Sequence, residues 1–417
     1  MTHRFHLPSR VLVVGLARSG RAAVAALQGR GVEAVAYDSD PLLDDTGLGV
    51  EVHLGDWDDA LLDGVDLVVK SPGVPRSAPP VIAAQAHGIP LISEIELGAR
   101  LLPNPLLGIT GTNGKTTTTA LLGAILEAAD RPAEIAGNIG RPLTALVDTV
   151  AEDTWIVCEL SSFQLEDVQG LKPRVAVLLN LEPDHIDRHG SFETYAAVKL
   201  RVFENQGPDD TAVVPRGFGP IPGTAHRIEF SSADPLPAEP LIPGAHNREN
   251  AAAATAAARA LGIDDDAIAA ALRAFSGVEH RIETVAEIGG VLYVNDSKAT
   301  NVAAALRALA SFPGRRLHVI LGGRGKNESY APLVEALARG DRVYLIGEAA
   351  AEIAATLEGR VPLTRSGTLE AALADAASAA SAGDAVLLSP ACASFDQFTS
   401  FEHRGEEFRR LVAKLAG

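Results

Sequence analysis

The sequence predicts an α/β protein of three domains, each built on a largely parallel sheet. Short apolar runs of strand length alternate with alanine-rich helical patterns along the whole chain, which is typical of parallel sheets covered by helices. The chain has 417 residues, enough for two or three domains of ordinary size. A Pro-Asn-Pro segment at 103–105 and a break near residue 279 separate three blocks. We therefore expect domains at 1–103, 104–278 and 279–417.

Within each block the hydrophobic period predicts individual elements. In the first block the expected strands are 11–15, 34–38 and 65–71, and the expected helices are 19–28 and 77–87. A rigid linker is expected at 101–105. In the second block the expected strands are 106–110, 155–160 and 175–181, and the helices are 115–129, 192–205 and 247–261. A proline- and glycine-rich stretch with short β-like pieces fills 207–243. In the third block the expected strands are 291–295, 317–322, 342–346 and 385–389.

Charge and composition exclude several classes of partner. The 36 basic and 53 acidic residues leave a formal charge of −17, which argues against binding to nucleic acid or to an anionic membrane surface. The first ten residues lack the apolar core of a signal peptide, and no run approaches a membrane span. Cys158 and Cys392 lie far apart in apolar runs, which favours buried free thiols. We expect a cytoplasmic monomer.

A glycine-rich loop follows the strand at 106–110 and opens a helix, which is the arrangement that binds a nucleotide triphosphate. The free N–H groups of such a turn and the positive end of the helix point at phosphate. Lys115 supplies a cation, and the Thr116 hydroxyl can reach Mg²⁺. Ile109 stands where the strict phosphate-loop pattern has glycine, so this is a variant of the loop. The expected ATP contacts are Gly111, Thr112, Asn113, Gly114, Lys115, Thr116 and Thr117.

A second glycine loop, Gly-Leu-Ala-Arg-Ser-Gly at 15–20, follows the first strand. It nearly matches the dinucleotide fingerprint, but the middle glycine is Ala17, and Asp38 closes the next strand. A dinucleotide redox domain, a site for a nucleotide-diphosphate substrate and plain helix–sheet packing are all compatible with it. No catalytic redox constellation accompanies the loop, so we favour the substrate nucleotide.

Polar residues close two further strands of the second block. Glu159 ends the strand at 155–160, and Asp184 and His185 follow the strand at 175–181. The carboxyl ends of parallel strands meet at one edge of a sheet, so these groups are expected beside the phosphate loop and suit a metal ion. Lys199 lies mid-helix among apolar neighbours, and its surroundings in the sequence assign it no role.

The third block carries three polar loops directly after strands. They are Asn-Asp-Ser-Lys-Ala-Thr-Asn at 295–301, Gly-Gly-Arg-Gly-Lys at 322–326 and Ser-Pro-Ala-Cys-Ala-Ser at 389–394. Ligand loops of open α/β sheets occupy this position. Turn chemistry explains the glycines, but a purely structural domain does not need two lysines and a serine there.

Together these strings resemble the Mur ligase superfamily, and most closely its D-glutamate-adding branch. The similarity runs nearly end to end. Beyond the phosphate loop it includes Gly-Asn-Ile-Gly at 137–140, Glu-Leu-Ser-Ser-Phe-Gln-Leu at 159–165, Asp-His-Ile-Asp-Arg-His at 184–189, His-Asn-Arg-Glu-Asn at 246–250 and His-Arg at 280–281. The loop at 296–301 and the string at 389–398 are what favour the D-glutamate branch.

The resemblance implies a Rossmann-like N-terminal domain for the UDP end of a substrate, a central P-loop ATPase domain and a Rossmann-like C-terminal domain for the incoming amino acid. It implies that ATP, UDP-N-acetylmuramoyl-L-alanine and glutamate give an amide, ADP and phosphate through an acyl phosphate and a tetrahedral intermediate, in the synthesis of peptidoglycan precursors.

The resemblance also implies roles for individual residues. The catalytic group would be Lys115, Lys199, His185, Glu159 and Asn138. Two Mg²⁺ sites would use Thr116, Glu159, His185 and Lys199, the lysine as a carbamate. Asn247, Asn250, Arg281 and Asp296 would complete the ATP site. Lys298, Thr300, Lys326, Ser394 and Phe401 would hold glutamate. The UDP contacts expected here are Arg18, Ser19, Ser39 and Gly73, because the Asp-Ser-Asp at 38–40 lacks the Thr-Arg pair of some relatives.

Alternatives remain open at this point. A Mur-type ligase that adds L-glutamate presents the same charges to the same site. A ligase for another amino acid, or a folylpolyglutamate synthase, is disfavoured by the third-block strings. A GTPase switch would need Asn-Lys-x-Asp, which does not occur. A dinucleotide oxidoreductase is favoured only by the loop at 15–20.

Overall fold

The alternating strands and helices fold into three sheets, of five, six and six strands. The computed structural model describes residues 7–242, 244–325, 328–338 and 340–416, apart from the side chains at 187 and 416. The first two sheets belong to one compact unit that ends at Phe275, and the third belongs to a second unit that starts at Ser276 and also takes in Ile242–Ala245. The expected domain boundaries at 103/104 and 278/279 fall between sheets.

The first sheet is parallel throughout, in the order β3-β2-β1-β4-β5. Its strands are β1 (Arg10–Val14), β2 (Glu33–Asp38), β3 (Glu51–Leu54), β4 (Leu67–Lys70) and β5 (Leu91–Ser93), and its helices are α1 (Arg18–Gln28), α2 (Pro79–Ala86) and α3 (Glu94–Leu101). The strand order reverses between β1 and β4, which opens a crevice at their carboxyl ends. The predicted linker is shorter than expected, because its first residue closes α3.

The second sheet is also parallel, in the order β11-β10-β9-β6-β8-β7. Its strands are β6 (Leu106–Thr110), β7 (Ala133–Gly137), β8 (Trp155–Glu159), β9 (Val175–Leu178), β10 (Thr211–Pro215) and β11 (His226–Phe230). Its helices are α4 (Lys115–Ala128), α5 (Ser162–Leu165), α6 (Ile186–His189), α7 (Phe192–Leu200), α8 (Ala245–Ala260) and α9 (Asp265–Ala274). Strand β6 is buried along its whole length between β8 and β9, at the point where the order reverses.

The third sheet has the order β12-β13-β17-β14-β15-β16. Its elements are β12 (Glu283–Ile288), β13 (Val291–Asn295), α10 (Val302–Ala310), β14 (Leu317–Gly322), α11 (Pro332–Ala336), β15 (Arg342–Ile346), α12 (Ala350–Leu357), β16 (Leu363–Gly367), α13 (Leu369–Ala379), β17 (Ala385–Leu388) and α14 (Phe401–Ala416). The edge pair β12–β13 is antiparallel, an exception to the predicted parallel pairing. Gly289 and Gly290 connect it, with φ of +59° and +77°, as a tight hairpin requires.

Apolar cores pack against the sheets, and Cys158 and Cys392 each belong to one of these cores. Cys158 and Cys392 are buried and free, as the sequence predicted, and burial raises the pKa of both thiols. Within the described residues, the helices are too short or too polar to cross a membrane.

Candidate active site

The glycine loop joins buried β6 to α4, as its sequence predicts. Gly111 and Gly114 have φ of +145° and +82°, in the region that favours glycine. A Cβ on Gly114 would lie 2.2 Å from Oδ1 of Asn250, which comes from α8. The loop therefore folds tightly against α8, and the expected ATP contacts Asn247 and Asn250 are both buried near the start of that helix.

Lys115 opens α4 and folds back over the loop. Its amine donates to the carbonyl oxygens of Gly111 and Thr112, both at 2.9 Å. Thr116 and Thr117 are buried in the first turn of α4, where the N-terminal end of the helix favours an anion.

Asn180 holds this loop in place and was not singled out from the sequence. Its backbone carbonyl accepts from the N–H of Thr112 at 3.0 Å, and its Oδ1 accepts from the N–H of Asn113 at 2.8 Å. The predicted strand extended to residue 181, so Asn180 was assigned to the strand and not to a loop. Strand β9 ends at Leu178, so Asn180 is free of the ladder and can bond the loop.

Glu159 closes β8 beside the loop. Its Oε1 accepts from Nδ2 of Asn138 at 2.7 Å. Its Oε2 is buried without a hydrogen-bond partner, although an unpaired buried carboxylate oxygen is costly. A cation against this oxygen would satisfy it, so the geometry fits the metal role expected of Glu159.

Lys199 is buried in α7, and its amine donates to the carbonyl oxygen of Gly111 at 2.8 Å. Burial, together with the charge of Lys115, lowers the pKa of Lys199 to about 6, although Asp184 and Glu159 act in the opposite direction. Nothing in the local sequence around Lys199 predicts that its amine is buried. At neutral pH the amine is mostly uncharged and nucleophilic.

His185 directly precedes α6 as its N-cap residue, with φ of +52°, which is unusual for a residue with a side chain. Its imidazole is about half exposed and lies 4.7 Å, between ring centroids, from Phe163. Among the described side chains, no group of three or more His, Cys, Asp or Glu is preassembled to hold a metal ion.

A cavity of about 440 Å³ occupies the crevice of the first sheet. Arg18, Ser19 and Gly73, three of the four expected UDP contacts, line it together with Asn138. Ser39 is exposed and is not part of this lining. Ser71, which the sequence reasoning missed, lines the cavity and donates its hydroxyl to the carbonyl oxygen of Gly15 at 2.7 Å.

In the second compact unit, Asp296 is buried at the end of β13. It accepts from Oγ of Ser389 at 2.7 Å and from the N–H of Ile282 at 3.2 Å. Burial raises the pKa of Asp296 to about 7, while the Ser389 hydrogen bond and the nearby charge of Arg281 oppose that rise. The expected ATP contacts Arg281 and Asp296 therefore lie close together.

The loops after β13 and β17 converge because these strands are neighbours. Lys298 lies over the ring of Phe401, with Nζ 5.6 Å from the ring centroid. Arg404, fully buried and not predicted, donates to the Ser297 hydroxyl at 2.9 Å and to the Cys392 carbonyl at 3.2 Å. Thr300 follows Lys298 in the first loop and Ser394 is buried in the second. Lys326, also expected to bind glutamate, lies outside the described residues.

We predict that Gly114→Ala raises the KM for ATP at least about tenfold. Its Cβ would displace Asn250, and alanine strains a backbone at this φ by ~1–2 kcal/mol. Steady-state phosphate release at varied ATP measures the effect. The matched control is Gly31→Ala, where φ is +69° but nothing lies within 4 Å of the new Cβ. Equal KM values in the two variants would contradict the prediction.

Three family models match the chain. A Mur ligase MurD-like N-terminal domain covers residues 9–93, the Mur ligase middle domain 109–217, and the Mur ligase glutamate ligase domain 280–392. Together they span more than half of the sequence.

Full-length relatives agree with these matches. The UDP-N-acetylmuramoylalanine–D-glutamate ligase of Acidobacterium capsulatum is 45% identical, covering 98% of this chain and 97% of that protein. The ligase of the same name from Sphingopyxis alaskensis is 43% identical, covering 100% and 99%.

Solved structures show the same fold at lower identity. The MurF ligase of Thermotoga maritima in complex with ADP superposes with a TM-score of 0.60 at 18% identity, covering 98% of this chain and 96% of that chain. FolC of E. coli in complex with DHPP and ADP gives 0.58 at 21%, covering 77% and 93%.

Proposed function

The chain belongs to the Mur ligase family, and from this premise we propose how it joins D-glutamate to UDP-N-acetylmuramoyl-L-alanine. It is an ATP-dependent ligase of peptidoglycan precursor synthesis. The proposal for the site rests on the position of Asn138. This residue lines the cavity of the first sheet and donates to Glu159 beside the glycine loop. This contact supports a site for a UDP-linked substrate that adjoins the site for the ATP phosphates.

A carboxylate is a poor electrophile, so it must be activated before an amine can attack it. Transfer of the γ-phosphoryl group to the alanine carboxylate gives an acyl phosphate and ADP. The glutamate amine then adds to this carbonyl, and loss of phosphate from the tetrahedral intermediate forms the amide. Most of the catalysis consists of positioning two anions and neutralising their charge. Lys115 and the N–H groups at 111–117 would hold the transferred phosphate, and Asn138 would orient it.

The described residues fit Mg²⁺ at this site. Glu159 offers a buried, unpartnered oxygen, and Thr116 offers a hydroxyl at the start of α4. Mg²⁺ prefers oxygen ligands, so the Lys199 amine becomes a ligand only as a carbamate. The lowered pKa of Lys199 favours that modification because CO₂ reacts with the neutral amine. His185 would serve the second ion. Bound Mg²⁺ would neutralise charge on the phosphate oxygens.

The second compact unit supplies the amino acid site. Lys298 provides a cation for a carboxylate, and Thr300, Ser394 and the backbone of Phe401 provide polar groups around it. Lys326 would add a second cation. Arg281 and Asp296, which lie close together in this unit, are proposed ATP contacts. L-glutamate presents the same charges as D-glutamate, so the preference for one enantiomer depends on where these groups place the amine.

Phosphate release tests the proposed function. With ATP, Mg²⁺ and UDP-N-acetylmuramoyl-L-alanine, we expect release that depends on D-glutamate and is far weaker with L-glutamate. Release with neither enantiomer would overturn the proposal, and a preference for L-glutamate would establish the alternative. An absorbance change with NAD(P)H would revive the redox alternative.

A further inference from the structure

Five charged side chains form a cluster in the first compact unit that the reaction described above does not use. This charge cluster consists of Lys70, Arg76, Glu166, Asp167 and Arg188. Lys70 is fully buried in β4, and both carboxylates are almost completely buried. Burying charges is costly unless each is closely paired, so a cluster of this kind needs an explanation.

Glu166 lies at the centre of the charge cluster. Its two carboxylate oxygens accept from Nε and Nη2 of Arg188 at 2.9 and 2.6 Å, a two-pronged pairing that fixes direction as well as distance. Its Oε2 also lies 3.4 Å from Nζ of Lys70. Glu166 directly follows α5, a one-turn helix that begins with the Ser161–Gln164 capping box, and its N–H donates to the carbonyl oxygen of Ser162 at 3.0 Å.

Arg188 connects Glu166 to the loop of His185. It lies in α6, three residues after His185, and its guanidinium carbon is 4.1 Å from the ring centroid of Phe163. Phe163 also packs against the imidazole rings of His185 and His189, at 4.7 and 5.9 Å between ring centroids. The left-handed backbone of His185 persists only if its surroundings impose it. The pairing of Arg188 with Glu166 supplies such a constraint.

The same charge cluster holds one wall of the substrate cavity. The carbonyl oxygen of Val74 accepts from Nζ of Lys70 at 3.0 Å and from Nη2 of Arg188 at 3.1 Å. Val74 lines the cavity of about 440 Å³. The Glu166 carboxylate thus pairs with two cations, Lys70 and Arg188, that both bond the Val74 carbonyl. Arg188 also orders the His185 loop.

We propose that Glu166 is a positioning residue for the ligase reaction, acting through Arg188 and Lys70 to hold the His185 loop and the Val74 wall in fixed relation. This inference rests on the proposed function. Weakening the cluster displaces both loops together, so it raises the KM for the UDP substrate and the Mg²⁺ concentration needed for half-maximal rate. The glycine loop is held separately by Asn180, so the KM for ATP stays unchanged.

Two variants and a control test the inference in the full-length enzyme. Glu166→Gln keeps the shape but turns one oxygen into an N–H donor that faces cations. Arg188→Lys keeps the charge but loses the two-pronged pairing. We expect each to raise both constants about tenfold, the size of effect seen when partners of metal ligands are removed. Arg259→Lys is the control, because Arg259 lies outside the charge cluster and makes the same two-pronged pairing, from Nε and Nη2 to the two oxygens of Asp265 at 2.8 and 2.9 Å.

Each outcome decides the question. Folded variants that keep both constants, or that lose only kcat, would overturn the inference, as would an equal effect in Arg259→Lys. If Glu166→Gln fails to fold, Arg188→Lys decides, and if neither folds the charge cluster is purely structural and the inference is wrong. A wild-type enzyme inactive with UDP-N-acetylmuramoyl-L-alanine would instead overturn the proposed function.

Discussion

Replacing Lys199 by alanine is expected to lower the rate of phosphate release about 10²- to 10³-fold, the range seen when one preorganised electrostatic group is removed. The variant loses the amine on which the proposed carbamate would form, together with its bond to the Gly111 carbonyl. Lys172→Ala is the control, since this half-exposed lysine pairs with the buried carboxylate of Asp210, which has no proposed part in the reaction. Normal turnover in Lys199→Ala would show that the lysine has no part in the reaction.

The pH dependence tests the carbamate separately. Lys199 has a pKa of about 6, well below its ordinary 10.5, so the amine is mostly neutral above pH 6 and protonated below it. Only the neutral amine reacts with CO₂. We therefore expect activity to fall as the pH decreases through about 6, and to fall at neutral pH when CO₂ is removed. Restored bicarbonate should recover it, with a carbamate signal from ¹³C-labelled bicarbonate. Indifference to CO₂ would contradict the modification.

Glu159→Gln is expected to lower turnover about 10²-fold and to raise the Mg²⁺ requirement. The amide keeps an acceptor for Asn138 but replaces a carboxylate that can bind a cation. Folding should survive, with a Tm at least equal to that of the wild type, because a buried carboxylate oxygen without a partner is itself destabilising. Steady-state kinetics at varied Mg²⁺ and thermal unfolding measure the two effects.

The control for this substitution is Glu134→Gln on neighbouring β7, a partly exposed glutamate that faces Arg141. It makes the same chemical change in an adjacent strand of the same sheet. A Glu159→Gln enzyme with the Mg²⁺ dependence of this control would exclude Glu159 from the metal site. A strongly lowered Tm would instead show that its carboxylate stabilises the fold.

Strands that were predicted correctly and strands that were missed lie at different positions in the sheets. The central strands β6, β13, β14 and β15 were predicted with their observed bounds, because strands buried on both faces are continuous apolar runs. Strands β3, β5, β7, β12 and β16 were missed, and each lies at the edge of its sheet. Most of these edge strands are more exposed than the central ones, so fewer of their side chains are apolar and the hydrophobic pattern is weak.

Site residues divide along a similar line. Those in loops directly after predicted strands, such as Lys115, Glu159 and Asp296, could be found because parallel strands bring their carboxyl ends together. Asn180 was missed because its role depends on where β9 stops. Lys70 and Arg404 were missed because the residues next to a lysine or arginine in the sequence do not show that its side chain is buried.

The sequence alone determined the α/β class, the phosphate-binding loop and the residue types around it, because these depend on local periodicity and on turns that few residues can form. The tertiary structure decided what those residues do. Lys199 becomes a neutral amine because residues 88 positions away bury it against Gly111. Contacts between residues that are distant in sequence likewise leave one oxygen of Glu159 unpaired and allow Glu166 to join two loops. Desolvation and charge pairing depend on every neighbour in space, and only the folded chain brings those neighbours together.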